Sequence, residues 1–191
     1  MPRECRGRGA GPDLSGEVVT QQLVLAAVEP SAVFSACRTW RYTLTRRWST
    51  QPGRMAVWVM LNPSIADEHH LDATLRRCRS FSTREGCVGM TVLNLYALVS
   101  TNPAGLYAVE DPIGPENDAH ITEVLANRWS LLPPLVICAW GAHPKAAERS
   151  EGVLRLIRGL GYGAWCLGLT KSGAPKHPVR LAASTPLVAV P

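Results

Sequence analysis

Four short apolar runs, Val57-Trp58-Val59-Met60-Leu61, Gly89 to Leu93, Leu135 to Ala139 and Ala164 to Leu167, are separated by stretches with helical apolar spacing. Runs of this length bounded by turn residues read as buried strands. Strands that alternate with helices argue for a mostly parallel sheet covered on both faces. The expected fold class is therefore α/β, a three-layer α/β/α sandwich. Ahead of these runs, Arg41-Tyr42-Thr43-Leu44-Thr45 alternates as a strand does. Pro-Gly turn chemistry at Ser49 to Gly53 predicts a hairpin joining it to the strand Met55 to Leu61. Asp72 is placed to cap a helix through about Ser82, with Leu75, Cys78 and Phe81 on its apolar stripe and Arg76, Arg77 and Arg79 on its other faces. Asn117 or Asp118 can cap a second helix whose inner face carries Ile121, Val124 and Leu125. Lys145 to Leu160 predicts a third, with Val153, Leu154, Leu156, Ile157 and Leu160 inward, and Leu187 to Val190 a last edge strand.

Length permits one ordinary domain with a sizeable core, since the chain has 191 residues. Met1 to Gly16 is rich in Gly, Arg and Pro and reads as a flexible N-terminal arm, leaving residues 17–191 as a single domain. Val18 to Val28 is apolar but fits strand and helix equally. Twenty Lys and Arg against 15 acidic residues give a net charge of +5, which permits a polyanionic partner without demanding one. A GC-rich genome would account equally well for the Arg and Ala richness. Cysteines stand at positions 5, 37, 78, 87, 138 and 166, with no CxxC pair, which argues against zinc and iron–sulfur sites. No metal and no cofactor are expected, and a reduced, cytoplasmic compartment fits best. The N-terminus lacks a signal peptide's apolar core and no apolar run is long enough to span a membrane.

In sheets of this kind ligands bind beyond the carboxyl ends of the strands. Those ends deliver Asn62-Pro63, Asn94, the Trp140-Gly141 turn and, in a Gly/Pro-rich loop, His177-Pro178. An amide oxygen can hold a water and an imidazole can donate a proton-bearing nitrogen, a plausible hydrolytic pair. Each residue also has a plainer reading. Asn62-Pro63 is a common turn signal, His177 can be a surface-loop histidine, and Asn94 can cap a strand end. Trp140 can pack at its strand end or stack a base. Asp67 and Asp72 can form a carboxylate pair, or Asp72 can cap its helix while Asp67 fixes the loop after Asn62. Asp67 is the alternative base if Asn62 only shapes the turn. His69 and His70 are adjacent, so they point apart and read as a solvated loop rather than a metal pair. Arg76, Arg77 and Arg79 either track phosphates or form a solvated face. Lys171, Lys176 and Arg180 flank His177 and are better phosphate candidates.

Asn62-Pro63 and His177-Pro178, in this order and context, resemble the two active-site motifs of the uracil-DNA glycosylase superfamily: a strand followed by Asn-Pro or Asp-Pro, and a His-Pro pair late in the chain. The segment more closely resembles a bacterial family of unknown function. Its marks are Leu61-Asn62-Pro63-Ser64 with Ala66-Asp67, then Asp72 and Thr74, Asn94-Leu95-Tyr96, Gly114-Pro115-Glu116-Asn117-Asp118, Trp140-Gly141 and Lys176-His177-Pro178. The superfamily resemblance implies that Asn62 positions the attacking water, His177 hydrogen-bonds the base carbonyl and Asn94 reads the pyrimidine edge. Pro63, Ser64, Tyr96 and Trp140 are the further candidates for the substrate pocket, and Lys171, Lys176, Arg180 and Arg76 for contact with DNA. Phe81 or Tyr96 is left to supply the stacking aromatic.

The implied function is a monofunctional DNA glycosylase acting on a base flipped out of the helix, with no metal required. The glycines usual on either side of the first motif are replaced by Met60 and Ser64, and Val179-Arg180 stands where a serine often follows the second. These departures point away from plain uracil and toward a modified pyrimidine, of the kind phage DNA carries, and so toward defence against such phage. Asn94 alone does not decide between a keto and an amino base. The alternatives are a non-catalytic nucleic-acid or nucleotide-binding module of the same fold and a small-molecule hydrolase using Asp67 with His177.

Overall fold

The computed structural model describes residues 31–64, 72–126 and 132–191, and within them one seven-stranded mixed sheet carries three helices. In chain order the elements are β1 (Ser31–Phe34), β2 (Arg41–Arg47), β3 (Met55–Met60), α1 (Ala73–Arg84), β4 (Gly89–Asn94), α2 (Asn117–Ala126), β5 (Leu135–Cys138), α3 (Pro144–Gly159), β6 (Ala164–Cys166) and β7 (Val188–Ala189). Short 3-10 turns lie at Pro103–Tyr107 and Pro178–Arg180. The strand order is β1-β2-β4-β3-β5-β6-β7. The four central strands run parallel, whereas β1 against β2, β2 against β4 and β6 against β7 are antiparallel. The arm Met1 to Gly16, the segment Val18 to Val28, and Asp67, His69 and His70 lie outside the described residues.

The predicted hairpin between β2 and β3 does not form, because β4 lies between them. The linker instead wraps around the entry of β4. Trp48 N–H donates to Val88 O at 3.1 Å, and Val88 N–H donates to Arg54 O at 2.9 Å. A Cβ on Gly53 would come within 2.4 Å of Val88 Cγ1, so the glycine serves this close crossing and not a hairpin turn. β1 was not anticipated: its four residues Ser31-Ala32-Val33-Phe34 are half exposed and carry little pattern.

Alternation along β3 divides its side chains between two cores. Val57, Val59 and Leu61 join Ile121, Val124 and Leu125 of α2 and Val153 and Ile157 of α3. Ala56, Trp58 and Met60 join Leu75, Cys78 and Phe81 of α1. Helices therefore cover both faces, as the alternating pattern implied. Asp72 does cap α1, accepting from Leu75 N–H at 2.7 Å. Leu160 is exposed at the end of α3 and not inward. Asn117 begins α2, but its side chain donates to the Asn94 and Leu95 carbonyls at 3.1 and 3.3 Å and so braces the end of β4. Among the described residues no helix is long and apolar enough to cross a membrane.

Trp58 is fully buried, and its indole N–H donates to Ser82 Oγ at 2.9 Å, whose own hydroxyl donates to Cys78 O at 2.8 Å. Ser82→Ala strands the buried indole N–H, and stability should fall by about 1–3 kcal/mol in denaturant titrations followed by tryptophan fluorescence.

Candidate functional site

β3 leads through α1 to β4 on one side of it, whereas β4 leads through α2 to β5 on the other. The two crossover helices cover opposite faces. The chain thus departs from neighbouring strands β3 and β5 in opposite directions, which opens a crevice beyond their carboxyl ends. Asn62 follows β3 and Trp140-Gly141 follows β5, so both motifs meet at this switch point.

Asn62 is held as part of a backbone clamp. Its Nδ2 donates to Pro63 O at 3.0 Å and to Ser100 O at 2.9 Å, and Ser100 N–H returns a bond to Pro63 O at 2.9 Å. Both partners are carbonyl oxygens, so only the nitrogen can face them, which leaves Oδ1 as the acceptor for a ligand or water. The long loop after β4, not foreseen as part of the site, is what orients this amide.

Asn62, Asn94 and His177 line one compartment of about 100 Å³, together with Arg41, Ser64 and Asp72. Asp72 has both oxygens engaged: Oδ1 caps α1, and Oδ2 accepts from the Ser64 hydroxyl at 2.9 Å. Asn94, at the end of β4, is 2% exposed, and its Nδ2 has no hydrogen-bond partner among the described residues. Arg41 is 3% exposed and was not foreseen as a site residue. At the head of an alternating strand it reads as an ordinary polar position, and arginine is seldom buried. Desolvation lowers its guanidinium to about 10, with the Asp72 charge acting the other way and Arg46 adding to the lowering.

His177 reaches the cleft because its loop docks on the end of β5. Gly141 N–H donates to Pro175 O at 2.9 Å, and Lys176 N–H donates to Gly168 O at 3.0 Å. Gly141 has φ +75°, a conformation that favours glycine, and a Cβ there would stand in ordinary contact with His177 Cβ at 3.8 Å, so the turn and the histidine are neighbours. Beyond it, the chain is fastened to α1 by Arg77, which donates to Leu181 O, and by Arg84, which donates to the Ala183 and Thr185 carbonyls. His177 keeps an exposed surface at the cleft mouth, yet desolvation of its ring holds it below the usual imidazole value, opposed by the Asp72 carboxylate.

A wider compartment of about 340 Å³ adjoins the first, sharing Met60, Asn62 and His177 with it and adding Pro103, Trp140 and His143. Trp140 is thus buried against the cleft, and His143 packs near the exposed Tyr107 ring at 5.9 Å. Pro63 is buried and serves the clamp. Tyr96 stands apart from both compartments: it is buried in the core under α2 and α3, with its hydroxyl on Lys145 O at 2.8 Å. Phe81 is likewise interior, beneath Arg77 and Arg84. Lys171, Lys176 and Arg180 are exposed on the segment that carries His177, and Arg76 is exposed on α1.

Fold and cleft together define an α/β protein with a seven-stranded mixed sheet and a cleft at the strand-order switch. Residues 41–179 match the family model described as a protein of unknown function (DUF1643), and the chain belongs to that family. Neither a curated protein nor a solved structure matches it.

Asp72→Asn keeps an oxygen for the α1 cap but removes the charge that raises His177. The His177 titration, followed by NMR of the imidazole ring protons, should move to lower pH; an unchanged or upward midpoint contradicts the assignment of Asp72 as its charge partner.

Proposed function

We propose that this protein is a monofunctional DNA glycosylase with a uracil-DNA glycosylase-like fold, acting on a modified pyrimidine flipped out of DNA. The observation that carries the reading is the single compartment lined by Asn62, Asn94 and His177, three residues distant in the chain. In the reaction the C1′–N1 bond breaks and its electron pair leaves with the base, building positive charge on the sugar. A water that donates a hydrogen bond to Asn62 Oδ1 adds to C1′, and the proton it loses passes through solvent to the departed base anion, leaving an abasic site and a neutral base. His177 is held neutral by desolvation and can still donate one N–H to the departing base oxygen. Lys171, Lys176 and Arg180 are exposed beside it for phosphate contact. The modified base suits defence against phage that carry such DNA.

Oligonucleotides bearing varied modified pyrimidines, assayed for abasic sites by alkaline cleavage, test the proposal. At least one substrate should react, and Asn62→Ala should slow it about a hundredfold or more while retaining the fold. DNA binding without abasic sites favours a binding module, and hydrolysis confined to free nucleosides favours a small-molecule enzyme.

The lowered His177 also carries a sign for stability. Below its unfolded value of 6.5 the unfolded chain binds the proton more readily than the folded one. Stability is therefore fully present above that pH and declines as pH falls through it. His177→Gln should lose less stability than the wild type between about pH 7.5 and about pH 5.5, read from thermal melts.

A further inference from the structure

Tyr107 is 58% exposed, yet the turn that carries it, Pro103–Tyr107, is anchored from within. Asn102 Oδ1 accepts from Ala104 N–H at 3.0 Å at the start of the turn, and Leu106, 1% exposed, packs into the core shared with α2 and α3. Ser100 ties the turn to the clamp on Asn62. Its hydroxyl donates to Asn102 O at 2.7 Å, and its carbonyl accepts from Asn62 Nδ2 at 2.9 Å. A Cβ on Gly105 would fall 2.5 Å from Ser100 Oγ, so the glycine serves this close approach. The segment that orients the Asn62 amide therefore also holds an aromatic ring out to solvent.

That ring has company from the cleft. His143 lies 5.9 Å from it, centroid to centroid, and lines the compartment of about 340 Å³, as does Pro103 at the start of the same turn. His143 is fixed at the head of α3, where its Nδ1 accepts from Lys145 N–H at 3.3 Å. Lys145 Nζ stands 5.1 Å from the Tyr107 ring centroid and pairs with Glu148 at 2.9 Å. An open tyrosine ring beside a cation, next to a residue that lines the cleft, suits a flat π-faced group carried on an anionic backbone. Bases inside a duplex keep their faces stacked on one another, so an unpaired base is the one free to offer its face.

We propose that Tyr107, flanked by His143 and Lys145, is a stacking subsite for an unpaired nucleobase next to the flipped nucleotide, so that the preferred DNA is single-stranded at the target. The inference rests on the glycosylase reading for its partner. It adds a strand preference to that reading, and a contact that no motif marks.

A fluorescein-labelled oligothymidylate, alone and paired with its complement, tests the subsite by fluorescence anisotropy. The wild type should bind the single strand about tenfold or more tighter than the duplex. Tyr107→Ala should remove about tenfold of single-strand affinity and leave duplex binding unchanged. The slope of log affinity against log salt should not move, because no phosphate contact is lost. Tyr107→Phe and Tyr107→Trp, which keep an aromatic face, should bind as the wild type does. No binding of the single strand, no preference for it, a preference that survives in Tyr107→Ala, or Tyr107→Phe as weak as Tyr107→Ala overturns the subsite. The Tyr107-dependent preference with no abasic site formed on any modified DNA leaves the subsite standing and removes the glycosylase. Abasic sites formed equally by the wild type and Tyr107→Ala, with equal single-strand binding, do the reverse.

Discussion

β3 is hydrogen-bonded along both edges, to β4 on one side and β5 on the other, and all its residues are buried. With β3 central, its next neighbour in the chain must take one flank and the following strand the other. That reversal sends the two crossovers to opposite faces and leaves the crevice into which Asn62 and Trp140-Gly141 project. The strand's strict alternation of side chains then supplies both cores at once, so the element that creates the site also holds the layers together.

Around the crevice the backbone does much of the positioning. Asn62 is oriented by two carbonyls, one of them delivered by the loop after β4. Asn94 has its carbonyl held by Asn117 at the start of α2. His177 is set by the bond between Gly141 and Pro175 on one side and by the tail's attachment to α1 on the other. Rigid supports of this kind allow a buried amide such as Asn94 to keep a donor unsatisfied without the surroundings collapsing onto it, a cost that a ligand can offset.

Much of the scaffold was legible because its signals are local. The apolar runs at Met55, Gly89 and Leu135, the cap at Asp72 and the stripe of α1 depend on neighbours a few residues away. The strand-end residues Asn62 and Asn94, and His177 in its Gly/Pro-rich loop, could be picked out for the same reason. Non-local pairing was not legible. Ser49 to Gly53 has the composition of a hairpin turn, but it crosses beneath Val88 because β4 claims the edge of β2. Tyr96 and Asn117 belong to the motifs marked in the sequence, yet their side chains turn to Lys145 O and to the end of β4. Arg41 is the clearest case, since nothing in an alternating strand marks one arginine for burial.

By itself the sequence determined the alternation of strands and helices, the layers this implies, and which polar residues stand at strand ends, because period, capping and turn chemistry are written into short windows. Only the tertiary structure decided that β4 separates β2 from β3, that Asn62 turns its nitrogen to Ser100, and that Arg41 shares a compartment with Asn94. Those outcomes follow from packing and hydrogen bonding between segments tens of residues apart, where each position is chosen by the whole sheet and not by its own surroundings in the chain.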